Sequence, residues 1–168
     1  ITDFVLKNAK CPVILDADGI NCVKSRISIF KEIKAPVVLT PHPAEMARLV
    51  SKTVAEVQAD RIGVAKAFAA QNNVIVVLKG ANTVVTDGER VFVNLTGNPA
   101  MAMGGTGDML TGIIASLIAQ GVSPFEAAAA GVYIHGLCGD RAATKISMRG
   151  ISVDDMTEQL GTLMSEFE

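Results

Sequence analysis

Apolar residues along this chain fall into two patterns. Short unbroken runs at Pro12 to Asp16 (PVILD), Pro36 to Thr40 (PVVLT) and Val74 to Lys79 (VIVVLK) each end in a polar or glycine-rich segment. A strand that is apolar on every residue needs cover on both faces, as in a buried parallel sheet. Between the runs, apolar residues recur every three or four positions. The clearest case predicts one helix from Thr53 to Asn72, with Val57, Ile62, Val64, Ala65 and Phe68 on its inner face. This alternation of strand and helix predicts an α/β architecture.

Punctuation residues sharpen the elements. Thr53 with Glu56, Ser123 with Glu126 and Ser152 with Asp155 have the spacing of capping boxes, in which a hydroxyl caps the helix and a carboxylate reaches back to the cap amide. Asp87-Gly88, between Thr83 to Thr86 and Arg90 to Leu95, predicts an antiparallel hairpin after the third parallel strand. Thr106 to Gln120, Pro124 to Lys145 and Val153 to Glu166 then read as helices. No linker or repeat divides the chain, so residues 1–168 are read as one domain. The strand at Pro12 needs neighbours on both sides, yet only about ten residues precede it. We therefore expect the N-terminal strands of the sheet to be missing, and this edge to associate with that portion or with a second copy.

Composition narrows the classes. With 168 residues, 49% of them hydrophobic, the chain can bury a sizeable core. Fifteen basic residues against 17 acidic ones leave no footprint for nucleic acid or an anionic membrane. The longest apolar stretch, Met109 to Val122, falls short of the roughly 20 residues of a membrane span. Cys11, Cys22 and Cys138 form no CxxC pair, and the N-terminus lacks a signal-peptide pattern, which together predict a cytoplasmic protein with free thiols.

The chemistry concentrates in Thr96 to Gly112, TGNPAMAMGGTGDMLTG. Gly104, Gly105 and Gly107 free the backbone just before an apolar helix, whose N-terminal amides suit a phosphate. Asp108 lies in the first turn of that helix. It either takes a proton from a hydroxyl attacking phosphorus or only caps the helix, and spacing alone leaves both readings open. No Gly-Lys-Ser/Thr follows, so this is not a Walker loop. His42, in TPHP after the second strand, is placed where α/β folds bind ligands, or is a capping or packed loop residue. Lys79-Gly80 at the end of the third strand offers a charge for phosphate and a close backbone approach, a weak signal by itself. Asp16, Asp18 and Asn21 could face the same cleft or cap the following segment. Asn98 orders the glycine-rich loop or marks a plain Asn-Pro turn. His135, inside an apolar helix, reads as a core residue.

These segments carry a resemblance. GGTGD followed by a helix is similar to the GxGD anion hole of the ribokinase-like superfamily. DADGIN at 16–21 resembles the DADALN of the ADP/ATP-dependent NAD(P)H-hydrate dehydratases, TPHPAEMARL at 40–49 their TPHPGEMARL, KGANT at 79–83 their KGxxT, and TGNPAMAMGGTGD at 96–108 their TGNPGMATGGTGD. With GVYIHGLCGD at 131–140, these run in the family's order along nearly the whole chain. The resemblance implies a ribokinase-like three-layer α/β/α fold with a mainly parallel central sheet, of which roughly the first third is absent here.

Carried over position by position, Asp108 is the catalytic base and also touches substrate. His42 and Asn98 contact the hydrated nicotinamide. Lys79, Gly80, Ala81, Asn82 and Thr83, with Gly105, Thr106 and Gly107, hold the adenine nucleotide. ADP or ATP with Mg²⁺ would be the co-substrate, and no protein-built metal site is expected. Ala44 and Ala100 stand where the family often has glycine and would be strained if those positions need positive φ. Met103 and Gly19-Ile20 are further departures.

The implied activity returns NAD(P)H hydrate to NADH or NADPH. A vitamin or sugar kinase of the same superfamily would share GTGD but not TPHPAEMARL, and a noncatalytic nucleotide-binding fragment would keep the cradle without turnover.

Overall fold

The computed structural model describes residues 1–166 of the chain. Helix α1 (Thr2–Asn8) leads to strand β1 (Val13–Leu15), helix α2 (Ala17–Val23), a 3-10 helix (Ile27–Glu32) and β2 (Val37–Leu39). Then come α3 (Pro43–Leu49), α4 (Val54–Ala59), α5 (Arg61–Asn72), β3 (Ile75–Leu78), β4 (Val84–Thr86) and β5 (Val91–Val93). A short 3-10 turn (Pro99–Met101) precedes α6 (Thr106–Ala119), α7 (Pro124–Lys145) and α8 (Val153–Met164).

The strands lie side by side in chain order, β1-β2-β3-β4-β5. β1, β2 and β3 are parallel, while β3, β4 and β5 pair antiparallel. The apolar runs are continuous because alternate residues serve opposite faces. Leu15, Val37, Leu39, Val76, Leu78 and Val84 pack with α1 to α5 on one side. Val38, Val77 and Val85 meet Leu110 and Ile114 of α6 and Ala127, Ala128 and Val132 of α7 on the other. Helices thus cover both faces, which gives the expected three-layer α/β/α arrangement. A third cluster, including Ile113, Ile134, Cys138, Met156 and Leu163, seats α8 on α6 and α7. No described helix is long and apolar enough to cross a membrane.

Several local expectations change. The single helix foreseen from Thr53 to Asn72 is two, because Asp60 leaves the helical region (φ −142°, ψ 68°) and its side chain caps α5 at the Gly63 amide, 2.9 Å away. Helical periodicity survives such a break, so the pattern could not reveal it. Capping boxes form at Thr53 and Ser152 but not at Ser123, whose side chain makes no cap bond. The expected partner, Glu126, is instead drawn to Arg90 at 2.9 Å. An unforeseen box forms at His42 with Glu45. In the hairpin only Gly88 takes positive φ (+98°), while Asp87 Oδ1 accepts from the Glu89 and Arg90 amides. Neither Ala44 nor Ala100 has positive φ, so the strain anticipated there does not arise.

Candidate active site

The three parallel strands end in line, and each hands on a polar residue. Asp16 follows β1, Thr40 follows β2 and Lys79 follows β3. The Thr40 amide donates to the Leu15 carbonyl (3.1 Å) and the Lys79 amide to that of Pro41 (2.8 Å), which fixes the strand ends to one another. Lys79 Nζ then reaches across β2 to Asp16 Oδ1 at 2.7 Å, with 23% and 13% of the two side chains exposed. Burial alone would raise the Asp16 carboxyl, but the hydrogen bond and charge of Lys79, with Thr40 and the Ala17 amide, outweigh it and hold the pKa below the ordinary carboxylate value. Ala17 itself takes φ +45°, an unusual conformation for a residue other than glycine and of the kind found at ligand sites.

The ion pair lies under the glycine loop. A Cβ on Gly107 would stand 3.3 Å from Asp16 Oδ2 and 3.5 Å from Lys79 Nζ. Gly105, at φ +90°, is the N-cap of α6 and provides no side-chain cap. The Thr106, Gly107 and Asp108 amides therefore have no partner earlier in the helix, the arrangement that suits an anion at a helix's positive end. Asp108 is exposed, and its carboxylate makes no hydrogen bond within the described residues. Capping is not its role in this geometry.

Beside the loop opens a cavity of about 750 Å³. Lys79 to Thr83, Asn94 to Pro99, Thr106, Gly107 and His42 are among its walls; Gly105 and Asp108 stand next to the lining residues without lining it. The KGANT turn is tight, with Gly80 at φ +134°, Asn82 in the left-handed region at φ +55° and the Thr83 hydroxyl donating to the Gly80 carbonyl at 3.0 Å.

His42 plays its capping part here. Its Nδ1 accepts from the Ala44 and Glu45 amides at 3.1 and 3.4 Å, and its own amide donates to Glu45 Oε2 at 2.7 Å. This leaves Nε2 as the nitrogen that carries the hydrogen. Capping and cavity lining thus coincide in one residue, because the cap holds the ring at the strand's carboxyl end.

The opposite wall is the 94–103 loop seated on α7. Asp140 accepts from the Gly97 amide (2.8 Å) and from Asn98 Nδ2 (2.9 Å), while Asn98 Oδ1 accepts from the Ala100 amide. The Asn98 carboxamide is thereby engaged at both ends in ordering the loop. Gly136 and Gly139 permit the close approach, since a Cβ on either would stand 2.1 Å from Thr96 Oγ1 or 2.3 Å from Met101 Sδ.

His135 is not wholly a core residue. It lines the cavity, its Nε2 is buried with no partner among the described residues, and burial lowers its pKa to about 4. A hydrogen bond with the Thr106 backbone opposes the shift and the Lys79 charge adds to it. Asp18 and Asn21 stay away from the cavity: Asn21 Nδ2 donates to Asp18, and Arg48 donates to Asn21. Among the described residues no group of three or more His, Cys, Asp or Glu could hold a metal ion. Cys11 and Cys22 are exposed and Cys138 is buried, all unpaired.

Comparison with known proteins decides the relationship. Residues 1–161 match the family described as NAD(P)H-hydrate dehydratase. The chain belongs to that family. It is 42% identical over 166 residues to the bifunctional NAD(P)H-hydrate repair enzyme Nnr of Moorella thermoacetica, which covers 98% of this chain and 31% of that one. It is 38% identical over 168 residues to the ADP-dependent (S)-NAD(P)H-hydrate dehydratase of Bacillus subtilis, 99% of this chain and 58% of the relative. The crystal structure of the ADP/ATP-dependent dehydratase from B. subtilis, co-crystallised with ATP/Mg²⁺ and soaked with CoA, superposes with a TM-score of 0.89 at 37% identity, covering 99% of this chain and 60% of that one. The chain therefore spans from about a third to somewhat under two thirds of these family members. Hydroxyethylthiazole kinase from Pyrococcus horikoshii, at 23% identity and a TM-score of 0.70, shares the fold.

Proposed function

We propose that this dehydratase-family chain carries the nucleotide cradle and the general base of an enzyme that returns hydrated NADH or NADPH to the working cofactor at the expense of ADP or ATP. The observation that carries this reading is the convergence of Lys79, the KGANT turn and the uncapped N-terminus of α6 on one cavity, with a hydrogen-bond-free carboxylate, Asp108, one residue beyond the lining Gly107. Lys79 and the Thr106, Gly107 and Asp108 amides would hold the terminal phosphoryl group. Asp108 would accept the proton of the substrate hydroxyl as its oxygen bonds to phosphorus and the bridging oxygen of the nucleotide leaves. The carbon–oxygen bond then breaks with phosphate as leaving group, a far better one than hydroxide, while the neighbouring carbon gives up a proton to water and its electron pair forms the ring double bond.

The carboxylate of Asp16, whose Oδ2 lies beside Gly107, fits Mg²⁺, which takes one or two carboxylates together with phosphate oxygens. When bound, it would neutralise the charge of the transferred group. His42, which lines the cavity and whose Nε2 lies 3.4 Å from Glu45 Oε1, would contact the hydrated nicotinamide, and Asn98 would keep its loop in place. We further read residues 1–168 as the C-terminal portion of one catalytic domain in a cytoplasmic protein. The open side of β1, which among the described residues pairs only with β2, supports association there with the rest of that domain or with a second copy.

The decisive variant is Asp108→Asn in the full-length protein. Recovery of NADH from its hydrate should fall roughly a hundredfold to ten-thousandfold, the usual loss of a general base. The melting temperature should hold, because this carboxylate caps nothing. A variant with near-normal turnover would refute the role of Asp108, and a phosphorylated product that is never dehydrated would identify a kinase instead.

A further inference from the structure

The Lys79-Gly80 turn has a second support, behind the cavity rather than in its wall. Arg61 is the first residue of α5, placed by the helix break at Asp60. Its Nη2 donates to the carbonyls of Leu78 (2.9 Å) and Lys79 (3.2 Å), and Nη1 donates to Gln58 Oε1 (2.9 Å). A Cβ on Gly80 would meet Nη1 at 3.1 Å and Nη2 at 3.2 Å, so the guanidinium lies directly against the back of the turn. Nε is buried with no partner among the described residues. No described carboxylate lies within ion-pair distance of this group, whereas Arg26 and Arg141 each have one and Arg90 has two.

A half-buried guanidinium answered only by neutral oxygens is held at a desolvation cost that a nearby anion would offset. Burial accordingly works against its charged form, with no opposing charge beside it. Lys79 to Thr83 line the cavity and Arg61 does not.

We propose that Arg61 is a positioning residue for the nucleotide: it pins the carbonyls of Leu78 and Lys79 so that Lys79 and the Gly80 turn are set for a polyphosphate, and the incoming anion supplies the countercharge that the protein leaves out. The inference rests on the nucleotide reading of the cavity and adds to it a residue that never touches the ligand.

The test uses the full-length protein, with ADP and Mg²⁺ binding followed by calorimetry and turnover by NADH recovery. Arg61→Ala should weaken ADP binding by at least about tenfold, the loss expected for charge-assisted hydrogen bonds. At saturating nucleotide KM for the hydrate should not move, because only nucleotide positioning is affected. Guanidinium ion at concentrations far below denaturing should restore part of the affinity, and ammonium should not. Should Arg61→Ala fail to fold, Arg61→Lys, which keeps the charge but not the planar fork, should bind ADP more weakly than wild type. A variant that melts lower yet binds ADP as tightly as wild type would overturn the proposal and leave Arg61 merely structural. Wild-type protein that binds no adenine nucleotide would sink the functional reading itself, a distinct result.

Discussion

At the scale of residues, His135 shows how burial selects a protonation state. In the unfolded chain its imidazole titrates near 6.5, while in the fold it stays neutral down to about 4. Between those values the unfolded chain binds the extra proton, so stability is full above pH 6.5 and falls as pH drops toward 4. His135→Gln should flatten this part of the profile. The difference in slope between the two proteins should integrate to as much as about 3 kcal/mol by denaturant unfolding. Parallel profiles would show that the ring is not the group that titrates. Legibility at this scale depended on sequence distance. Asp108 and the glycines before it announce themselves because their signal is local: a flexible turn running into an apolar helix. The pairing of Asp16 with Lys79 could not be read, since 63 residues separate them. Arg61 carries no local signal, since the carbonyls it holds lie 17 and 18 residues away, while capping, one of the two readings open for His42, is what its ring does.

At the scale of elements, the loop that carries Asn98 is held by close approach to α7 more than by apolar burial. Gly139→Ala would drive a methyl into Met101, and Gly136→Ala one into Thr96. Overpacking of this kind costs about 1–3 kcal/mol, and urea titration of either variant should show it. Gly161→Ala in α8 makes the contrast, for a Cβ there meets nothing within 4 Å. It should stabilise by about 0.4–1 kcal/mol, because alanine restricts the unfolded chain and favours the helix. If all three variants behaved alike, the glycines of α7 would not be there for contact. The parallel strands, the hairpin and the helices from α6 onward could be read from periodicity and turn residues. What failed were junctions: the break at Asp60 and the absent cap at Ser123 each turn on one side chain choosing between two partners, which a pattern of apolar positions does not encode.

At the scale of the whole molecule, the cavity joins elements from both faces of the sheet, so a ligand that bridges them should brace the fold. ADP or ATP with Mg²⁺ at about 100 times its dissociation constant should add about 2.7 kcal/mol to stability, read as a rise in melting temperature. No shift with either nucleotide would count against the cradle. The ion pair across the strand ends carries one more consequence, in the order of folding events. Asp16 and Lys79 directly follow strands that are not neighbours, with β2 between them, so they meet only after both parallel pairings are in register. Such a contact forms late, on the native side of the folding barrier. Asp16→Asn should leave the refolding rate nearly unchanged and speed unfolding, with a φ-value near zero. The two side chains would then act as a latch that closes once the strands are correctly aligned, and whose loss shortens the lifetime of the native state without delaying its arrival.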